Sequence, residues 1–252
     1  MTTRLDINLV QDGDSLRVWF YKGQSERLTL SFTGIGERSG EPQGYEFAKA
    51  ATAGGRDSAL FFADTKRSWL NHPGQIEEIV DWTEAMKRET GATNVVSLGH
   101  SMGGFTALAI PHFTKVDVAV GMSPQYSMHP DVVPDETRWK GYRRQLKDFR
   151  IRHLGEVIGD QSTYYVFHGV GPAERPQRNR FPRQQNLKHF VVEGGGHQVP
   201  RFLRKRQIMG EVIEHAFDNR PRMVRMALRP VGGKRRPEGR PKPQRTSGEA
   251  AK

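Results

Sequence analysis

The sequence contains no cysteine, which excludes disulfides and thiolate metal sites and permits a reducing compartment without requiring one. Long apolar runs are also missing: none approaches the roughly 20 residues that a membrane span requires. The opening MTTRLDINLVQDGD lacks the charged start and extended apolar core of a signal peptide, so a soluble, cytoplasmic protein is expected. Neither the metal spacing H-E-x-x-H nor the dinucleotide fingerprint G-x-G-x-x-G occurs, and accordingly no metal and no cofactor are expected. No repeat with a period of roughly 20 to 50 residues is visible, which sets aside solenoids and propellers.

What is present is a chain of 252 residues, 35% hydrophobic, enough for one sizeable core, with a net charge of +11. The charge is unevenly spread. Residues 230–252 hold seven Lys/Arg against two Glu, a surplus of five, leaving 11 − 5 = +6 for the remainder. That segment has almost no apolar side chains to bury and no interleaved aromatics. The division expected is a folded domain over 1–220 and a basic, Pro/Gly/Arg-rich tail over 221–252, disordered by composition and touching polyanions only weakly.

Within the domain, apolar runs and helical patterns alternate, the mark of an α/β protein with a mostly parallel central sheet. The start differs: Leu5 to Val10 and Ser15 to Tyr21 flank an Asp-Gly turn, predicting an antiparallel hairpin. Strands follow at Leu28–Phe32, Ala59–Ala63, Asn94–Leu98, Val116–Val120, Thr163–Phe167 and Lys188–Val192. Helices are expected near Tyr45–Ala53, over Gln75–Glu89, after Ser101, and in a final stretch from Phe202 to Ala216.

The stretch GHSMGG, residues 99–104, stands directly after the run Val95-Val96-Ser97-Leu98. G-x-S-x-G alone is a weak signal, but after a buried strand and opening a helix it describes a strained turn that exposes a serine. A serine hydroxyl needs a base to take its proton. His197, on the glycine loop Glu193-Gly194-Gly195-Gly196 after the last strand, is the best placed of nine histidines, with His168 a lesser rival. His100 is expected to point away from Ser101, and His112, His153 and His189 to serve surface or packing.

Strand order, GHSMGG and GGGH together resemble the α/β-hydrolase superfamily over roughly residues 5–217. The resemblance implies a mostly parallel sheet with an N-terminal antiparallel hairpin and helices on both faces. It implies Ser101 as nucleophile, His197 as base, and an oxyanion hole made by the backbone of Met102 and of the loop Thr33-Gly34-Ile35-Gly36, with Gly34 and Ile35 as candidates. Asp64–Ser68 looks like an eroded D-x-R-G-x-G-x-S stretch, expected to serve packing or the pocket and not chemistry. The acid departs from the pattern: His168-Gly169-Val170-Gly171-Pro172 places proline where H-G-x-x-D has aspartate. Glu174 is the first carboxylate beyond it, and Asp131, after the sixth strand, is the alternative acid.

The lid position holds only about residues 126–162, a small cover, with Trp139, Tyr142, Leu146 and Phe149 expected on one helical face. Arg38, Lys66, Arg67, Arg175, Arg178, Arg180 and Arg183 are expected on loops at the catalytic edge, which favours an anionic small-molecule acyl substrate. The reaction expected is that of a serine esterase or thioesterase. An acyltransferase using the same triad and a noncatalytic binding module of the same fold remain the alternatives.

Overall fold

Gly13 closes the first turn, its N–H donating to the Leu16 carbonyl at 3.0 Å. On either side of it β1 (Asn8–Asp12) and β2 (Leu16–Tyr21) pair antiparallel. A computed structural model describes residues 5–36 and 43–236 of the chain. β1 begins three residues later than the alternation suggests, and a bulge between Leu9 and Gln11 shifts its register on β2.

The chain then runs through β3 (Arg27–Phe32), the single helical turn α1 (Ala48–Ala51), β4 (Ser58–Asp64), α2 (Gln75–Thr90), β5 (Asn94–His100), α3 (Met102–Ala109) and β6 (Val118–Met122). It continues through α4 (Lys140–Gln145), β7 (Thr163–Gly169), α5 (Arg175–Arg178), β8 (Leu187–Val192), α6 (Val199–Lys205), α7 (Met209–Phe217), α8 (Pro221–Leu228) and β9 (Lys234–Arg235).

Among the described residues nine strands form one sheet in the order β1-β2-β4-β3-β5-β6-β7-β8-β9, parallel from β4 through β8 and antiparallel at both ends. Every residue of β4 is buried, as expected for a parallel strand covered on both faces. On one face Ile76 and Ile79 of α2 and Phe105 and Leu108 of α3 pack on Leu28, Leu30, Leu60 and Val95. On the other, Leu203, Val212, Ile213, Val224 and Leu228 of α6, α7 and α8 pack on Val96, Leu98, Val120 and Tyr165. Val95 and Val96 face opposite layers, the two-residue period of a strand.

Three expected elements differ. The helix near Tyr45–Ala53 shrinks to α1, bounded by Phe47 at φ 60° and by Gly54 and Gly55 at φ 71° and 110°. The final helix is broken at Gln207, φ 60°, into α6 and α7. Order also continues past residue 220, where a disordered tail was expected from 221. Asn219 at φ 52° ends the α7 region and Pro221 opens α8, which buries Val224, Ala227 and Leu228 while Arg222, Arg225 and Arg229 face out. Its three apolar contacts are too sparse, among arginines, to stand out from a basic tail. The remainder of that expected tail, residues 237–252, lies outside the described residues.

Candidate active site

Ser101 joins β5 to α3 at φ 56°, ψ −118°, a conformation that costs an L-residue about 1–3 kcal/mol. The glycines around it are there because nothing larger fits. A Cβ on Gly99 would meet the Gly103 carbonyl oxygen at 2.1 Å, and one on Gly103 would meet the Phe32 carbonyl oxygen at 2.0 Å. Helix α3 can therefore start directly against β3 and β5, holding Ser101 at the carboxyl end of the parallel strands, where open α/β sheets bind ligands. Ser101 is 3% exposed.

His197 comes from the loop after β8, where Gly194 and Gly196 take φ 75° and 51°. Its Nε2 lies 3.0 Å from Ser101 Oγ. Two neighbours fix the loop. His100 contacts this loop, its Nε2–H donating to the His197 carbonyl at 2.9 Å. Burial, then the proximity of His197, pushes His100 down to about 4, so it holds this bond as a neutral ring. On the other side Trp139 packs on His197 with ring centroids 5.0 Å apart.

Glu174 reaches His197 Nδ1 at 3.3 Å through Oε1 and 3.5 Å through Oε2. Pro172, the residue that breaks the usual pattern, opens a short 3-10 turn over Pro172–Glu174, and Glu174 is 1% exposed. Arg138 donates Nη1–H to Glu174 Oε1, and its Nη2–H binds Glu136 Oε2 at 2.9 Å. Burial alone would raise the Glu174 carboxyl; the His197 hydrogen bond and the charges of His197 and Arg138 outweigh it and hold it down at about 2. Asp131, the alternative acid, stands apart with its side chain 79% exposed, 3.9 Å from His129.

The expected oxyanion candidates lie on two segments, the start of α3 and the loop after β3. Met102 is the first residue of α3, so its N–H has no intrahelical acceptor. The Gly34 carbonyl accepts from Gln43 Nε2 at 2.8 Å and the Ile35 carbonyl from Arg67 Nε at 2.9 Å. A trans peptide points its N–H opposite its carbonyl, so the Gln43 bond fixes the direction of the Ile35 N–H. Gly34 packs on the elbow itself: a Cβ there would lie 3.3 Å from the His100 carbonyl oxygen.

Two contributors carry no signal in the sequence. Gln125, fully buried, donates Nε2–H to Ser101 Oγ at 2.9 Å. Arg138, which joins Glu174 to Glu136, follows from no motif. That cover is less helical than expected: α4 spans only Lys140–Gln145, Trp139 caps it at φ 55°, and Leu146 and Phe149 pack on the core from outside the helix. The cations expected at this edge have other partners. Lys66 pairs with Asp14 at 2.6 Å, Arg180 with Asp135 at 2.8 Å, and Arg178 donates to the Gly169 carbonyl at 2.6 Å. Arg175 and Arg183 are exposed, and Arg38 lies outside the described residues.

His168 and His189 form a buried chain beneath the site. His189 Nε2 lies 3.0 Å from His168 Nδ1, His168 Nε2 3.0 Å from the Pro124 carbonyl, and Arg236 Nη1 3.3 Å from His189 Nδ1. A guanidinium only donates and a carbonyl only accepts, so the protons run one way, from Arg236 to Pro124. Burial pushes His168 down to about 3 and His189 well below its usual value, consistent with two neutral rings. Among the described residues no group of three or more His, Asp or Glu could hold a metal ion, and no helix is long and apolar enough to cross a membrane.

No family model matches the sequence and no curated protein matches it. Solved structures do. Est1E from Butyrivibrio proteoclasticus aligns with TM-score 0.58 at 14% identity, over 87% of this chain and 99% of its own. A hormone-sensitive lipase from a metagenome library aligns with TM-score 0.59 at 13% identity, over 86% and 87%. The capsule O-acetyltransferase of Neisseria meningitidis serogroup A aligns with TM-score 0.55 at 16% identity, over 81% and 93%. At such identity the likeness is one of backbone, and with the parallel strand order and the serine elbow at the end of β5 it shows that this chain has the α/β-hydrolase fold.

Proposed function

We propose that the chain is a serine hydrolase acting on a carboxylic ester or thioester through an acyl-enzyme. The observation that carries this reading is the 3.0 Å contact between Ser101 Oγ and His197 Nε2, with Glu174 at the opposite nitrogen of the same ring. Ser101 Oγ attacks the carbonyl carbon as its proton passes to His197 Nε2, and the carbonyl π pair moves onto oxygen. The N–H groups of Met102 and Ile35 are the donors assigned to that oxyanion, with Gly34 shaping the loop that presents them. Collapse of the tetrahedral intermediate expels the alcohol or thiol, which takes the proton from His197. Water then repeats the sequence on the acyl-enzyme. Glu174 holds the Nδ1–H tautomer and balances the imidazolium.

Transfer of the acyl group to an alcohol or amine instead of water is the second reading. Its support is the burial of Ser101 at 3% exposure and of Gln125, since exclusion of water separates transfer from hydrolysis. The backbone likeness to the N. meningitidis O-acetyltransferase is compatible with either. A substrate with an anionic group would find Arg175 exposed one residue from the acid.

The test is labelling by a fluorophosphonate probe, followed by turnover of an activated short-chain ester. The expected result is one labelled residue, Ser101, with Ser101→Ala abolishing both signals while the circular dichroism is unchanged. Turnover by Ser101→Ala within tenfold of the parent defeats the serine mechanism. Absence of labelling in the parent favours the binding-module reading. Adding a small alcohol separates the two chemistries: an ester product supports transfer, acid alone supports hydrolysis.

A further inference from the structure

Gln125 lies three residues beyond β6, in a segment to which no motif assigns a role. Its side chain is fully buried and bonded at both ends: Oε1 accepts the Trp69 indole N–H at 3.0 Å, and Nε2 lies 2.9 Å from Ser101 Oγ. The indole can only donate, so the atom facing it is the amide oxygen and the atom facing Ser101 is the amide nitrogen. That nitrogen can only donate. Ser101 Oγ is therefore an acceptor on that side, and its one proton is left for His197 Nε2. Glu174 lies at the opposite ring nitrogen, so a neutral His197 with its proton on Nδ1 completes both hydrogen bonds. In that arrangement every proton from Trp69 through Gln125, Ser101 and His197 to Glu174 runs in one direction.

The backbone that delivers Gln125 is held as firmly as the elbow. Ser123 takes φ 47°, its N–H donates to the Phe167 carbonyl at 2.6 Å, and its hydroxyl is buried without a hydrogen-bond partner among the described residues. Both features are unfavourable, and the surrounding packing must impose them. The Pro124 carbonyl next to it accepts from His168. Trp69 is itself fully buried on a loop where Arg67, Trp69 and Leu70 all take positive φ, and Asp64 accepts from the Lys66 and Ser68 amides at 3.1 and 2.6 Å to hold that loop.

We infer that Gln125 is a hydrogen-bond donor to the nucleophile: it sets the Ser101 hydroxyl with its proton on His197 and stays on Oγ while negative charge develops there during attack. This rests on the serine-hydrolase reading above. Its chemistry differs from that of the oxyanion donors. They act on the substrate's carbonyl oxygen, whereas Gln125 acts on the attacking oxygen. The bond strengthens as Oγ–H passes its proton to His197 and weakens once Oγ is esterified, so the residue favours acylation more than deacylation.

The experiment measures fluorophosphonate labelling rate and ester turnover against pH for the parent, Gln125→Met and Gln125→Glu. Gln125→Met keeps the length and removes the donor; labelling and kcat are expected to fall about 10²-fold with KM nearly unchanged. Gln125→Glu replaces the donor by a group that, ionised, only accepts and draws the hydroxyl proton away from His197. A buried carboxyl protonates readily, and once protonated it donates again. Its labelling rate relative to the parent is therefore expected to recover as pH falls. The other titratable and charged groups around this corner, His197, His100, Glu174, Arg138 and His168, are common to both chains, so the ratio reports the introduced carboxyl together with its effect on His197.

A parent that labels, with both variants labelling at the parental rate and profile, overturns the inference and leaves the hydrolase reading standing. A parent that does not label overturns both. Should Gln125→Met fail to fold, the Gln125→Glu ratio decides within the pH range where its circular dichroism matches the parent. Heteronuclear NMR of His197 in the parent needs no variant: with the ring uncharged, the Nδ1–H tautomer supports the proton direction and the Nε2–H tautomer overturns it.

Discussion

Strands β5 and β6 lie side by side and leave the sheet at the same edge, each through a serine with positive φ: Ser101 at 56° and Ser123 at 47°. The first turn is written in glycine, with Gly99, Gly103 and Gly104 around its serine. The second, Gly121-Met122-Ser123-Pro124-Gln125, has no glycine past Ser123 and follows no familiar spacing. The first carries the Ser101 oxygen and the second aims the Gln125 side chain at it. The difference is in what enforces the strain. At β5 it is backbone against backbone, which only glycine permits. At β6 it is tertiary packing, through the Phe167 carbonyl and His168, which many sequences could supply.

Breaking the first turn has the largest expected effect. Gly103→Ala places a Cβ 2.0 Å from the Phe32 carbonyl oxygen, so helix α3 must move away from β3. The change is expected to destabilise the fold by more than about 3 kcal/mol, read from chemical denaturation, and to remove turnover. A midpoint within experimental error of the parent would mean that the elbow is not set by this contact.

The acid comes next. Glu174→Gln leaves Arg138 its partner Glu136 but offers His197 no charge, and kcat is expected to fall ~10²- to 10⁴-fold with KM nearly unchanged. Asp131→Asn, on an exposed side chain, is expected to cost less than about threefold. Equal losses in steady-state kinetics would overturn the assignment of Glu174 over Asp131.

The third expectation concerns the packing that holds the second turn. His168 and His189 titrate lower in the fold than in the unfolded chain, so acid favours the unfolded state, which binds the extra protons. Their contribution is intact above the ordinary histidine range, near 6.5, and is lost as pH falls from there toward about 3. Glu174, held at about 2 against an ordinary 4.5, adds a loss across that lower window. Replacing His168 by Gln should flatten the fall of the unfolding free energy between roughly pH 6.5 and 4, read from denaturant titrations, by up to about 1.4 kcal/mol per pH unit. An unchanged slope would show that His168 is not buried neutral.

The smallest effect is expected at Ser123 itself. Ser123→Gly relieves a positive φ and removes an unpartnered buried hydroxyl, but it also loosens the unfolded chain, so stability should shift by less than about 1 kcal/mol. If the turn is held by Phe167 and His168, kcat stays near the parent. A tenfold fall in kcat would show that the serine side chain itself steers Gln125.

The same contrast explains what could be seen in advance. Ser101, His197 and the parallel order were legible because local sterics or strand periodicity leave residues no choice: glycine where a Cβ collides, alternating valines where both faces are buried. Glu174 was legible only by elimination, as the first carboxylate past a broken motif. Gln125, Arg138 and the inward contact of His100 were not. A buried glutamine and a surface one look the same in a sequence, and only the meeting of β6, the Trp69 loop and the elbow tells them apart. Helix α8 was hidden for a related reason, since Val224, Ala227 and Leu228 become informative only once the groove they fill is known.

The histidine chain from Arg236 to Pro124 ties the order of synthesis to the readiness of the site. A chain emerging from its amino end can form the elbow once β3, β5 and α3 are out, more than a hundred residues before Arg236. The donor that orients His189, and through it His168 and the turn carrying Gln125, is among the last described residues to be made. Until Arg236 is in place the histidine chain lacks its terminal donor, so the turn carrying Gln125 gains its full set of hydrogen bonds only after the elbow around Ser101 has its own.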